Sequence, residues 1–415
     1  MHDRSLKDAQ KRDRRDPLAA KRDAFALPDG VIYLDGNSLG PLPRKAAGRI
    51  NSTITKDWGE GLIRSWNDAG WIDLPRAIGA KIAPLIGASP HNVVMADSTS
   101  VNLFKVLSAA CALKQGRTKI VTERQNFPTD NYIAEGVIAQ LNQGHRLHYT
   151  DTPENLFDAL DDDVAVVYLT HINYRNGRML DMAALTRAAH AHGALMIWDL
   201  AHSTGAVPLS LAGTDVDFAV GCTYKYLNGG PGAPAFLYVA DKHLGLAFQP
   251  LSGWFAHQSP FDFDPAFVPS ETINQFLCGT PPILSAVALD AALDIWQDVD
   301  LSMLREKSLA LTDYFIDLVE ARCAGKALTL ITPREHSLRG SHVSFTHPDG
   351  GYAIMSALIA DGVIGDFRAP DVMRFGFTPL YTSFSDVWLA VDKLAAILEN
   401  NTWDQPKFHT RKAVT

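Results

Sequence analysis

From residue 91 onward, short apolar runs alternate with amphipathic stretches. HNVVMAD precedes VNLFKVLSAACAL, TKIVTER precedes DNYIAEGVIAQLN, and VAVVYLTH precedes DMAALTRAAHAHG; ALMIWDLA, DFAVGCT and APAFLYVA follow. This order predicts an α/β domain with a mainly parallel sheet, whose active-site residues collect at the carboxyl ends of the strands. After PPILSAVALDAALDIWQ a second long helical pattern opens a smaller unit. There the strands LTLITP, HVSFTH and VMRFGF mix with the helices GYAIMSALIADG and SDVWLAVDKLAAILEN, an α+β arrangement. The expected division is a large domain over 46–300 and a small carboxyl-terminal domain over 301–415.

With 415 residues, 47% of them hydrophobic, the chain can bury one large core and a smaller lobe. A formal charge of -8 argues against a nucleic-acid binder, whose affinity rests on clustered Lys and Arg. The one basic cluster, Lys11, Arg12, Arg14 and Arg15, is interrupted by Asp13 and Asp16 and reads as a solvated terminal helix or a disordered arm. The amino terminus has no apolar h-region and no later run approaches a membrane span, so a cytoplasmic location with no membrane partner is expected. Cys111, Cys222, Cys278 and Cys323 show no CxxC or ligand-like spacing; no disulfide framework and no metal site is expected.

The stretch from Ile197 to Gly232, IWDLAHSTGAVPLSLAGTDVDFAVGCTYKYLNGGPG, carries the chemistry. Asp199 ends the apolar run ALMIW and could hold a pyridine nitrogen protonated; Lys225, before Gly229, Gly230 and Gly232, could bond a cofactor aldehyde. Each has a plainer reading, Asp199 as the N-cap of the next turn and Lys225 as a solvated loop residue. Together they fit pyridoxal 5'-phosphate, and the absence of GxGxxG and GxxxxGK[ST] weakens the nucleotide alternatives.

At these residues the chain resembles the kynureninase family, fold-type I pyridoxal phosphate enzymes close to the class V aminotransferases. The likeness also runs through YLDGNSLGPLP (Tyr33 to Pro43), LIRSWNDAGW (Leu62 to Trp71), NFPTDNYIAEG (Asn126 to Gly136), LTHINYRNG (Leu169 to Gly177), PLSGWF (Pro250 to Phe255), FLCGTPPIL (Phe276 to Leu284) and MRFGFTPLYTSF (Met373 to Phe384). It implies a fold-type I transferase-like architecture in which residues 1–45 pack with the small domain. It also implies a homodimer with shared sites, and cleavage of L-kynurenine by water to anthranilate and L-alanine.

The resemblance places the cofactor phosphate at Ala96–Val101, where Thr99 and Ser100 open a predicted helix; a plain helix cap is the alternative. Tyr224 and, from the neighbouring subunit, Thr280 resemble further phosphate ligands. Phe127 resembles a ring-stacking residue with Asp130 and Thr170 near the ring; as structure alone they are a staple residue, a first-turn acid and a strand residue. His202 matches a cofactor contact that can orient Asp199, although a lone His is commonly structural. Arg374 suits a substrate α-carboxylate, or else an internal Asp366 or Asp371. Asn37, Ser38 and Trp66 map to substrate-side positions, and Trp254 to a contact across the subunit interface. The implied catalytic set is Lys225 as base, Asp199 as keeper of the ring charge and Tyr224 as proton mover. If Trp66 lines the aniline pocket, it offers no hydrogen-bond acceptor, and L-kynurenine is expected to be preferred over 3-hydroxykynurenine. A desulfurase or aminotransferase on the same fold is the nearest alternative, and a ligand-binding protein retaining the fold a more distant one; a desulfurase needs an exposed nucleophilic cysteine.

Overall fold

The computed structural model describes residues 4–412. Seven strands form the central sheet in the order Val93–Met95, Phe236–Val239, Phe218–Gly221, Leu195–Asp199, Val164–Thr170, Lys119–Glu123, Arg146–Thr150. All neighbours run parallel except around Phe236–Val239, which is antiparallel to both of its partners. The apolar runs are nearly continuous because both sheet faces are covered. Val121, Val167, Leu169, Met196, Trp198, Ala219 and Phe236 enter one buried cluster. Their chain neighbours Ile120, Val166, Tyr168, Leu195, Ile197, Phe218 and Leu237 enter another on the opposite side. A strand's side-chain period of two thus serves two cores at once.

A second sheet of four antiparallel strands has the order Asp366–Arg368, Val372–Gly376, His342–Thr346, Thr329–Leu330. Here the faces differ. Val343, Phe345, Met373 and Phe375 join a third apolar cluster with Phe315 of the helix Leu301–Arg322 and with Val387 and Val391 of the helix Phe384–Glu399. The intervening positions are polar, and the register sets Arg374 opposite both Ser344 and Asp366.

The amino-terminal segment is neither a solvated helix nor a loose arm. The helix Leu6–Asp13 buries Ala9 in the third cluster, and the Asp13 carboxylate accepts the backbone N–H groups of Phe384 at 2.7 Å and Ser385 at 3.0 Å. An anion at a helix N-terminus is favoured there by the unpaired N–H groups and the helix dipole. Asp16 pairs at 2.6 Å with the buried Lys307. The acids that interrupt the basic run are therefore its anchors, which charge counting alone misses. Further on, Ile32–Tyr33 pairs with Val363–Ile364 in a separate two-stranded sheet, and Asp35 bridges to Gly376, bringing the start of the GNSLG motif to the end of the strand Val372–Gly376. Leu18 and Phe25 sit instead in the first cluster, so the segment touches both halves.

Among the described residues no helix is long and apolar enough to cross a membrane.

Candidate active site

The carboxyl ends of three adjacent parallel strands converge. Register pairs Thr170 with Asp199 and Asp199 with Val220, so Thr170, Asp199 and the turn after Gly221 share one rim of the sheet. A cavity of roughly 270 Å³ opens there, lined by Thr99, Ser100, Phe127, Asp130, Thr170, Asp199, His202, Tyr224 and Lys225 from the sequence reading. Ser98, Thr129, Tyr174, Ala201, Ala233 and Ala235 complete the wall.

Lys225 Nζ lies 3.0 Å from His202 Nε2, and within 6.0 Å of the Phe127 ring centre and 5.7 Å of the Tyr224 ring centre. The lysine turn is held by a close backbone approach. Gly40 donates its N–H to the Tyr224 carbonyl at 2.7 Å, and a Cβ on Gly40 would stand 2.6 Å from the Lys225 carbonyl oxygen and from Asn228 Cα. A side chain at residue 40 would push the lysine out of place.

Asp199 accepts the N–H of Ala201 at 2.8 Å, and Thr170 Oγ1 stands 3.4 Å from both Asp199 Oδ2 and Asp130 Oδ2. Burial pushes the Asp130 carboxyl well above its usual range, and the Asp199 charge and hydrogen bond push it further. Burial also raises Asp199, but Lys225, the Ala201 N–H, Asp130 and Thr170 oppose the rise. Both carboxyls are raised and Asp130 is raised the further, so of the two it is Asp130 whose protonated form the site favours more. His202 is held neutral, first by burial and then by Lys225. Cys222 and burial together raise the Tyr224 hydroxyl, which therefore keeps its proton.

The helix Thr99–Leu113 begins at the cavity wall, with the Ser98 hydroxyl capping Val101 N at 3.3 Å. The hydroxyls of Thr99 and Ser100 and the first-turn amides are placed where they could hold an anion. Phe127 is 41% exposed and meets Tyr174 edge-to-face at 5.2 Å, leaving a ring face at the mouth. These features fit pyridoxal phosphate: an anion cradle at one end, an acid pair at the other, a flat apolar face and an amine between them.

The remaining candidates lie outside this cavity. Trp254 is 37% exposed against Phe255 and Phe261, and Thr280 is exposed. Trp66 packs half-buried against Trp71 and Phe255 rather than lining the cavity of this chain. Asn37 is fully buried and Ser38 bonds Asp366 Oδ2 at 2.8 Å. Of the two internal partners considered for Arg374, Asp366 is the one used; Asp371 pairs with Arg175 at 2.9 Å.

Sequence reasoning missed Tyr174, Ala233, Ala235 and Asn126, whose Oδ1 accepts the Thr170 hydroxyl. Tyr174 and Asn126 stood inside quoted motifs; the alanines have no chemistry to read and are brought in by the glycine turn. Among the described residues no thiol is fully exposed. Cys111, Cys222 and Cys323 are buried, with burial pushing Cys111 up to about 12 and Cys323 to about 11, and Cys278 Sγ is bonded to the Leu251 carbonyl at 3.1 Å.

Comparison with known proteins shows the family over nearly the whole chain. Residues 304–394 match the family model described as the kynureninase C-terminal domain. The chain is 56% identical over 407 residues to the kynureninase of Burkholderia mallei strain SAVP1, covering 97% of this chain and 98% of that one. It is equally similar, 56% over 407 residues, to the kynureninase of Pseudomonas fluorescens. Among solved structures, the apo cysteine desulfurase of Thermococcus onnurineus NA1 superposes with a TM-score of 0.77 at 18% identity, covering 92% of this chain and 98% of that one. A C-DES mutant with glycine covalently linked to its PLP cofactor also gives a TM-score of 0.77 at 18% identity, covering 90% and 98%. At that identity the two structures carry the fold alone, here the fold-type I α/β architecture.

Proposed function

The chain belongs to the kynureninase family, and from that membership we infer a pyridoxal-phosphate-dependent hydrolase of tryptophan catabolism that splits the Cβ–Cγ bond of L-kynurenine with water, giving anthranilate and L-alanine. The observation that carries the inference is the identity over nearly the whole of both chains. The test is incubation with L-kynurenine without any keto acid. Anthranilate and alanine are expected in equal amounts, whereas consumption that depends on added keto acid would make the protein an aminotransferase.

When bound, the cofactor supplies an aldehyde that takes an amine and a ring that draws electrons from the carbons attached to it. The chain's own residues do the rest. Lys225 is the amine that attaches the cofactor and, once freed, moves the proton at the substrate Cα; neutral His202 accepts from Lys225 Nζ and fixes its direction. Asp199 would keep the ring nitrogen protonated, with Asp130, the carboxyl raised further, beside it. Thr99, Ser100 and Tyr224 would hold the phosphate and Phe127 would cover the ring, while Thr170, its proton given to Asn126 Oδ1, stands between the two acids. Tyr224, its hydroxyl protonated, delivers a proton during hydration or release of the leaving carbon. Arg374, with Asn37 and Ser38 beside it, takes the substrate α-carboxylate. The chain is divided for this work into 46–300, which holds the cofactor, and 301–415, which with residues 1–45 presents Arg374.

The functional unit is a homodimer in which Trp254 and Thr280 complete the partner's site, with Trp66 flanking the aniline pocket. The exposed Trp254, Phe261, Phe263 and Phe267 support this reading, since so many exposed aromatics in one stretch mark an interface. Inactive Lys225→Ala chains mixed with chains inactivated at Thr280 are expected to recover part of the activity. Verified heterodimers with no recovery would show that each chain builds its site alone.

A further inference from the structure

Asp366 stands directly opposite Arg374 in the strand register, on the polar face of the second sheet. Arg374 is only 2% exposed, and its donors are almost all placed. Nε donates to Asp366 Oδ1 at 2.6 Å; Nη2 donates to Asp366 Oδ2 and, at 3.1 Å, to Ser38 Oγ; Nη1 donates to the Tyr174 carbonyl at 2.5 Å. The acceptors fall into two kinds. The Nε edge is gripped by a carboxylate fixed on the adjacent strand, while the outer directions of Nη1 and Nη2 meet a carbonyl and a hydroxyl. Neutral acceptors hold a guanidinium more weakly than a carboxylate does. Tyr174, whose carbonyl is one of them, also lines the cavity.

We propose that Asp366 is a positioning residue for substrate binding: by holding the Nε–Nη2 edge of Arg374 it turns the Nη1–Nη2 end toward the cavity, where the α-carboxylate of the substrate replaces the Tyr174 carbonyl and the Ser38 hydroxyl. The proposal rests on the carboxylate-binding reading of Arg374 given above. Asn37 adds a second observation. It is fully buried beside Gly376, two positions from Arg374, and neither polar atom of its side chain has a partner among the described residues. A buried amide without partners is costly, and an arriving carboxylate would satisfy its N–H groups. Asp366 stays ionised in this setting: burial opposes its charge, but Arg374, Arg368 and Ser38 hold its carboxyl below the usual range. Its neighbour Asp35 is pushed up to about 7 by burial and by Asp366.

Two effects oppose each other in Asp366→Asn. Loss of the negative charge leaves Arg374 more attractive to anions, while loss of the two-point grip lets the guanidinium turn away; the proposal requires that orientation outweigh charge. The measurement is titration of the holoenzyme with L-alanine and with L-alaninamide, which lacks the carboxylate, read through the cofactor's visible absorption. L-Alanine is expected to bind about tenfold or more weakly in the variant while alaninamide stays within about twofold. For the full reaction KM rises with kcat changed by less than about threefold. Unchanged or tighter L-alanine binding overturns the proposal, and so does an equal loss for both ligands, which would mark general distortion. Arg374→Gln run beside it separates the two readings. If that variant keeps its L-alanine affinity, the carboxylate assignment itself fails; if it loses affinity while Asp366→Asn does not, only the positioning role fails. Should Asp366→Asn not fold, Asp366→Glu keeps the charge but displaces the guanidinium. The same selective loss is then expected, and an equal loss for both ligands again overturns the proposal.

Discussion

Replacing Lys225 by alanine is expected to lower kcat by about three orders of magnitude or more, because one amine both attaches the cofactor and moves the α-proton. The cofactor is still expected to bind. The hydroxyls of Thr99 and Ser100, the Phe127 ring and the Asp199 carboxylate line the same cavity as Lys225 and remain in the variant. The check pairs turnover with the cofactor content retained after gel filtration. Near-normal turnover would sink the assignment of Lys225, while a chain that retains no cofactor would show that the covalent link supplies most of the affinity. His202→Phe is a milder relative of this variant, since it removes the acceptor 3.0 Å from Lys225 Nζ but leaves the amine.

Asp199→Asn is expected to cost about two to three orders of magnitude in kcat, a loss of the size seen when a preorganised charge is removed from a buried site. Asp130→Asn is expected to cost far less. Asp130 is raised further than Asp199, so its neutral form is the more favoured and an amide of the same shape mimics it more closely than it mimics Asp199 beside the ring nitrogen. Equal losses at the two positions would show that the charge had been assigned to the wrong acid. The shift at Asp130 also fixes the direction of a pH effect in protein freed of cofactor. Its folded pKa is raised, so above the unfolded value of about 4 the folded state binds more protons than the unfolded one, and stability falls as pH rises toward the folded pKa. Asp130→Asn should flatten that slope in urea titrations from pH 4 upward; an unchanged slope would contradict the protonated assignment.

Much of this site was legible along the chain because its parts are local. The strand ALMIW ends at Asp199 whatever it packs against, and the turn that follows DFAVGCT sets Lys225 just past the next strand. Parallel strands put those two ends on the same rim. Other elements gave a weaker signal. Arg146–Thr150 is an edge strand whose residues alternate between exposed and half-buried before the buried Thr150, so it lacked the apolar run that marks its neighbour. The amino-terminal helix was readable as a helix, but its docking through Asp13 and Asp16 was not, since a carboxylate that caps a distant helix looks in sequence like any solvated acid.

What the sequence determined by itself was the alternation of strands and helices, the acid and the lysine on adjacent turns, and the glycines that let backbone approach them. The tertiary structure alone decided the partnerships between distant segments. Ser38 reaches Arg374, and Asn37 lies against Gly376, across more than three hundred residues because Asp35 bridges to the end of the strand Val372–Gly376. The choice of Asp366 over Asp371 for Arg374 follows from a strand register, and the raised carboxyl of Asp130 from the depth at which two carboxylates are buried together. Local pattern fixes which residues share an element, because backbone geometry repeats over a few positions. Charge state and partner choice depend on which groups are desolvated beside one another, and that exists only once the chain has folded.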